Sequence, residues 1–208
     1  MPDLALEIAA AGDGFRTVCG VDEAGRGPWA GPVVAGAAIL DVDLLSVELC
    51  DGLDDSKKLK PAAREALFEA LKSEARIGVG IAEVNEIDEL NILQATLLAM
   101  RRAVDALGSP HPDFALIDGN RPPQLTCPLR TVVKGDSLSL SIAAASIIAK
   151  VTRDQMMAEL DVQYPGYGWA RNAGYGTKEH QAALARLGVT PAHRKSFAPI
   201  RKILSPDS

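Results

Sequence analysis

A chain of 208 residues, 47% of them hydrophobic, has the length and composition of one well-buried core with at most a small appendage, which excludes two large independent domains. No run approaches the roughly 20 apolar residues that a bilayer crossing needs, and the acidic start Met1-Pro2-Asp3-Leu4 has no apolar stretch, so a cytoplasmic protein with no membrane contact is expected. Three distant cysteines, Cys19, Cys50 and Cys127, support neither a disulfide framework nor a CxxC zinc site, and the formal charge of −5 is unevenly spread: residues 171–208 carry seven basic side chains against two acidic ones, a +5 tail on a −10 body. Such a chain suits a polyanion gripped at one end and brought to carboxylates at the other.

Along the chain, residues 17–21 and 33–40 are apolar, β-branched-rich runs, read as two strands joined by the Gly/Pro-rich loop 25–32. Pro61 opens a helix over 61–71, and 76–82 alternates as a short strand. One long amphipathic helix is expected over 86–107, stopped by Gly108 and Pro110. Two further strands, 114–117 and 130–133, run into Asp118-Gly119-Asn120 and Lys134-Gly135-Asp136. A helix follows over 139–157, whose small residues Ala143, Ala144, Ala145 and Ser146 let it lie close to a sheet. The segment 164–176, rich in Gly and aromatic residues, reads as a loop, with a helix over 177–187 and a short one near the end. Alternating strands and helices give an α/β class fold, a sheet with helices on its faces, followed by a small helical extension. The division expected is a core of residues 1–165 and an extension of 166–208 packed on it as one functional unit.

Chemistry in open sheets gathers at strand ends, and that is where the acids fall. Asp22-Glu23, Asp118 and Asp136 each follow an apolar strand, so neighbouring strands of similar polarity bring four carboxylates to one cleft. Oxygen ligands with no convergent His or Cys suit a hard cation, Mg²⁺ or Mn²⁺, and two such ions about 4 Å apart can bind a phosphodiester between them. Adjacent strand residues point to opposite faces, so Asp22 and Glu23 serve together only if the chain turns there. Gly25 and Gly27 bracket Arg26 and let backbone N–H groups approach a ligand closely. Lys57 and Lys58, with Lys178, Arg194 and Lys195 in the tail, are candidate phosphate contacts. His180 and His193 are candidate proton carriers or packing groups, and Lys150 and Arg153 are left undecided between the sheet edge and the ligand.

The ordered set GVDEAGRGPWAGPVV (residues 20–34), DSKKL (55–59), EIDELNI (86–92), IDGN (117–120), KGDSLSLSIAAASIIAKVTRD (134–154) and GYGTKEH (174–180) resembles ribonuclease HII over about residues 17–198. The resemblance implies a ribonuclease H-like fold with a mixed central sheet and a carboxy-terminal helical extension. It implies a metal-dependent endonuclease that cleaves RNA in RNA·DNA hybrids and cuts 5′ of a single ribonucleotide in duplex DNA, leaving a 3′-hydroxyl and a 5′-phosphate. The family's metal-binding acids fall on Asp22, Glu23, Asp118 and Asp136, its GRG motif on Gly25, Arg26 and Gly27, and its substrate-reading tyrosine on Tyr175. A 2′-hydroxyl can be met by backbone groups at residues 25–27, and Tyr175 can lay its ring against a sugar lacking that hydroxyl. The expected cofactor is Mn²⁺ or Mg²⁺, the expected partners an RNA·DNA hybrid or a DNA duplex containing ribonucleotides, and the expected state a monomer. A non-catalytic RNA·DNA junction-binding protein is the competing reading, and a nucleotide phosphatase a weaker one, because no Walker-type Lys and Ser/Thr pair follows the glycines.

Overall fold

The computed structural model describes residues 1–41, 45–53 and 59–205. In chain order it contains α1 (Ala5–Gly12), β1 (Val18–Ala24), β2 (Val33–Leu40), α2 (Val47–Gly52), α3 (Pro61–Glu74), β3 (Ala75–Ala82), α4 (Val84–Leu90), α5 (Ile92–Asp105), β4 (Phe114–Asp118), β5 (Leu129–Val132), a 3₁₀ turn (Gly135–Ser137), α6 (Leu140–Gln163), α7 (Trp169–Asn172), α8 (Lys178–Leu187) and α9 (Ala198–Leu204). The five strands form one mixed sheet in the order β3-β2-β1-β4-β5. β1 runs antiparallel to β2 and parallel to β4, so the carboxyl ends of β1 and β4 lie side by side. Among the described residues no helix is long and apolar enough to cross a membrane.

Helices cover both faces, and glycine sets how closely they approach. A Cβ on Gly20 would stand 2.1 Å from the Ser141 carbonyl carbon, and one on Gly36 would stand 2.3 Å from the Ala145 oxygen, so α6 rests on bare backbone of β1 and β2. On the opposite face Gly78 and Gly80 of β3 play the same part for α5. The α5 face packs Cys19, Val21, Ala35 and Ala37 against Ala95, Ala99 and Ala103. Ala38, Ile147 and Ile148 pack with Leu49 of α2 and with Phe68 and Leu71 of α3 on the α6 face. Alternation along β1 therefore turns Asp22 toward α6 and Glu23 toward α5.

The helix expected over 86–107 is two helices. Glu83 and Glu86 form a capping box at the start of α4, and Asn91, at φ 72°, ends α4 and caps α5 by accepting from the Leu93 and Gln94 amides. The Asn91 side chain secures this positive-φ conformation through its two cap bonds, and the apolar periodicity continues through the break, hiding it. The Gly-rich stretch read as a loop carries the short helix α7. α1, which the sequence reading left unassigned, docks by Glu7: its Oε1 accepts from the Ser139 and Ser141 hydroxyls and the Ser141 amide at the start of α6. The chain beyond α6 has its own apolar cluster, Tyr167, Trp169, Ala183, Leu184, Ala192 and Ile200, which closes on Met157 of α6 and on Ala30 of the loop after β1.

Candidate active site

Pairing of β1 with β4 ends at Val21 opposite Ile117, so the next residues on the two strands, Asp22 and Asp118, are neighbours. Carboxylate oxygens of Asp22, Glu23 and Asp118 lie within 4.8 Å of one another. Asp22 and Glu23 belong to β1 itself, paired with Gly36 and Ala35, so the chain does not need to turn to bring them together. They leave the strand on opposite sides, yet their carboxylates converge with that of Asp118.

Backbone amides fix two of the acids. The Glu23 amide donates to Asp22 Oδ1 at 2.7 Å, and the Gly135 amide donates to Asp118 Oδ1 at 2.7 Å. Gly135 opens the 3₁₀ turn, which follows Lys134 in the left-handed conformation. Asp136 is the next residue, buried in that turn and one peptide from the Asp118 contact, but its carboxylate stands outside the 4.8 Å trio. At the cleft, Arg26 Nη1 lies 3.3 Å from Glu23 Oε1.

Crowded anions tell in the proton affinities. Burial, then the charges of Glu23 and Asp118, hold the Asp22 carboxyl well above the usual carboxylate range, against the Glu23 amide and the Ser146 side chain. Burial also raises Glu23, with the Arg26 guanidinium opposing it. Three converging oxygen donors, one of them on a buried residue, fit a divalent hard cation, which would relieve their mutual repulsion.

Beside the trio is a cavity of about 470 Å³ lined by Glu23, Gly25, Arg26, Gly27, Lys150 and Tyr175, among others. It joins Glu23 and the GRG loop to the tyrosine, which the sequence placed more than 140 residues away, while Asp118 lines a smaller adjoining cavity of about 80 Å³ that shares Glu23 and Arg26. Tyr175 is half exposed, and its Cε1 would stand 3.2 Å from a Cβ on Gly27, so glycine there lets the ring close over the loop. A larger cavity, about 740 Å³ around Arg16, Leu40 and Arg76, lies at the opposite end of the strands and contains none of these acids.

Several other sequence candidates land elsewhere. Lys57, with Asp55 and Lys58, lies outside the described residues. Lys178 and Lys195 are exposed, whereas Arg194, offered as a phosphate contact, is fully buried and bonds backbone carbonyls instead, because Arg can satisfy its fork internally. Lys150 and Arg153 both border the cleft, Lys150 paired with Asp154 at 2.5 Å and Arg153 almost wholly buried in its wall. His180 and His193 are buried against each other, Nε2 to Nε2 at 3.1 Å, with no opening to the cleft acids. Ser146, which the sequence marks only as one of the small residues that bring α6 close to the sheet, hydrogen-bonds the Asp22 carboxylate.

The sequence profile of the family Ribonuclease HII matches residues 19–200. The ribonuclease HII of Paramagnetospirillum magneticum is 60% identical over 204 residues, covering 98% of this chain and 99% of the relative, and that of Rhodospirillum rubrum is 58% identical over 207 residues, covering 99% and 93%. The crystal structure of ribonuclease H2 from Pyrococcus horikoshii OT3 superposes with a TM-score of 0.72 at 32% identity, over 90% of this chain and 97% of that one. The family depends on divalent metal and acts on RNA-containing nucleic acid. With a matching profile across most of its length, relatives near 60% identity and the mixed sheet of the ribonuclease H architecture, the chain belongs to the ribonuclease HII family and is an endoribonuclease acting on RNA–DNA hybrids.

Proposed function

We propose that Asp22, Glu23, Asp118 and Asp136 hold divalent ions, Mg²⁺ or Mn²⁺, and that the chain nicks duplex DNA 5′ of a single embedded ribonucleotide, leaving 3′-hydroxyl and 5′-phosphate ends. The observation that carries this reading is the acidic trio, whose member Glu23 lines one cleft with residues 25–27 and Tyr175. When bound, such ions stabilise charge on the phosphodiester and lower the pKa of an attacking water. The chain's own part is positional. The amides of Glu23 and Gly135 hold the Asp22 and Asp118 carboxylates in place, and Arg26 restrains Glu23 from the cleft side. Asp136 joins the set by a small movement of its turn when charge is placed among the acids.

In this reading Gly25, Arg26 and Gly27 meet the ribose and its phosphate, and Tyr175 lies against the next, 2′-hydroxyl-free sugar. Lys57 and the exposed Lys178 and Lys195 neutralise outlying phosphates. Residues 1–165 supply the catalytic core and 166–208 carry Tyr175 to it, in a monomer working in the cytoplasm. The test is cleavage of a duplex containing one ribonucleotide, with both ends mapped, in Mg²⁺, in Mn²⁺ and in EDTA. Nicking on the 5′ side that EDTA abolishes is expected, and Asp118→Asn should lower it at least about 100-fold while hybrid binding persists. Undiminished turnover by Asp118→Asn, or nicking indifferent to EDTA, would reject the assignment.

A further inference from the structure

Two of the most deeply buried side chains in the molecule are cations. Arg194 is 0% exposed and Arg153 is 2% exposed. Neither has a carboxylate within ion-pair distance among the described residues. Their guanidinium groups are satisfied by main-chain carbonyls, nearly all from one loop. Arg194 donates from Nε to Gly31 at 2.9 Å, from Nη1 to Arg26 at 3.1 Å, and from Nη2 to Gly25 at 2.6 Å and Pro32 at 3.0 Å. Arg153 donates from Nε to Pro32 at 3.0 Å, from Nη2 to Ala30 at 3.2 Å, and from Nη1 to Ala173 at 3.0 Å. Desolvation lowers the Arg194 pKa to about 9, with the neighbouring Arg153 charge adding to it, and lowers that of Arg153 to about 10. A buried pair of like charges is a costly way merely to fill space.

The arrangement has a geometric consequence at the cleft. In a planar trans peptide the C=O and the following N–H point in opposite directions. The only cis peptide among the described residues is Ser109-Pro110, so the peptides after Gly25 and Arg26 are trans. Arg194 draws the carbonyls of Gly25 and Arg26 inward, and the N–H groups of Arg26 and Gly27 must then face away from it, on the side where both residues line the cavity. Arg153 packs directly against the same loop, in the wall of the cavity: a Cβ on Gly25 would stand 1.9 Å from its Nε, and Gly25 has φ +96°. Glycine at 25 thus leaves room for the guanidinium packed against the loop.

We propose that Arg194 is the positioning residue for ribose recognition, a guanidinium that turns the Gly25 and Arg26 carbonyls inward so that the Arg26 and Gly27 amides present two donors to the ribonucleotide. Arg153 braces the same loop and, through the Ala173 carbonyl, ties it to the Tyr175 segment. This rests on the reading that residues 25–27 contact the ribonucleotide, and it names the group that gives them their direction. Lysine keeps the charge but cannot span four carbonyls arranged for a planar fork.

The test compares two duplexes that differ only in one sugar, ribose or deoxyribose, by fluorescence anisotropy in EDTA, with cleavage of the ribose duplex in Mg²⁺ measured alongside. Wild-type protein should prefer the ribose duplex. In Arg194→Lys that preference should fall about tenfold or vanish, and kcat/KM should drop about 100-fold, while affinity for the all-DNA duplex stays within about twofold. Arg194→Ala should regain preference and turnover when guanidinium ion is added at non-denaturing concentration. A lowered melting temperature with the preference intact would overturn the proposal, leaving Arg194 as packing. Absence of any preference in the wild type would instead overturn the reading of the 25–27 loop, and the proposal with it. If the variants do not fold, ¹⁵N-labelled wild type decides: the Arg26 and Gly27 amide signals should move with the ribose duplex more than with the deoxyribose one, and unmoved signals refute the clamp.

Discussion

Lowering the pH from 6.5 to 4 should destabilise this protein through one histidine pair, and the hydrogen bonds specify the protons involved. The Thr190 amide, which can only donate, bonds His193 Nδ1 at 3.0 Å, so His193 carries its proton on Nε2. Trp169 Nε1, also only a donor, bonds His180 Nε2 at 3.1 Å, and that same nitrogen faces His193 Nε2 at 3.1 Å. His180 therefore accepts there and donates from Nδ1 to the Tyr175 carbonyl at 2.9 Å. Every ring nitrogen is satisfied with both imidazoles neutral, and the Tyr167 and Trp169 rings pack 5.2 Å from the His193 ring. Burial, with His180 adding to it, pushes His193 from 6.5 down to about 4, and burial lowers His180 as well. Between those values the unfolded chain binds the proton and the folded one does not, so stability is complete above pH 6.5 and is lost as the pH falls toward 4. At 1.4 kcal/mol per pH unit the window is worth about 3 kcal/mol. Thr190 is only partly buried and water screens part of this, so about 2 kcal/mol is expected. Urea unfolding followed by tryptophan fluorescence at several pH values, for wild type and His193→Gln, measures it: the variant should lose that part of the slope. Equal slopes for the two proteins across this range would refute the neutral-pair argument.

Two further perturbations bear on the site. Tyr175→Ala should impair cleavage at a lone ribonucleotide by about tenfold or more while leaving duplex binding within about twofold, read from cleavage rates and anisotropy, because a ring stacked on one sugar adds little to phosphate-driven affinity; equal losses would make the ring a packing plug. Gly20→Ala would set a Cβ 2.1 Å from the Ser141 carbonyl carbon, where ordinary contact begins at 3.4 Å, so α6 must retreat from β1. Overpacking against backbone costs about 3 kcal/mol, and because Asp22 follows two residues later on the same side of β1, nicking should fall with the melting temperature.

What the sequence made legible follows periodicity and punctuation. The apolar runs ahead of Asp22, Asp118 and Asp136 are strands that share a sheet, and the small-residue run from Ala143 to Ser146 does lie on glycine backbone. Features needing direction or depth stayed hidden. Asn91 breaks a helix without breaking its apolar rhythm, because one residue at positive φ leaves the hydrophobic spacing untouched. Arg153 and Arg194 count as surface charge in any tally by segment, since composition does not say that carbonyls wait for them inside. Likewise, a His at the start of α8 and another beside Arg194 carry no mark that they meet ring to ring. The distance of Asp136 from the trio is set by the left-handed Lys134 and the turn it begins, and no pattern of residue types fixes such a turn to within an ångström or two.

The burial of Arg194 also changes what the charged tail means. One of its seven basic groups never faces the outside, so the surface there is less cationic than the residue count implies. The missing charge has not left the site: together with Arg153 it sits under the loop that borders Glu23, close to where a phosphodiester must come within reach of three carboxylates. Charge embedded behind main chain is screened less by salt than charge on flexible lysines. It cannot collapse onto the acids and neutralise them, because its donors are already committed to carbonyls. Acids that must stay available for a cation, and a polyanion that must nevertheless approach them, are both served by holding these two arginines against the loop's carbonyls, which leaves Arg26 to pair with Glu23.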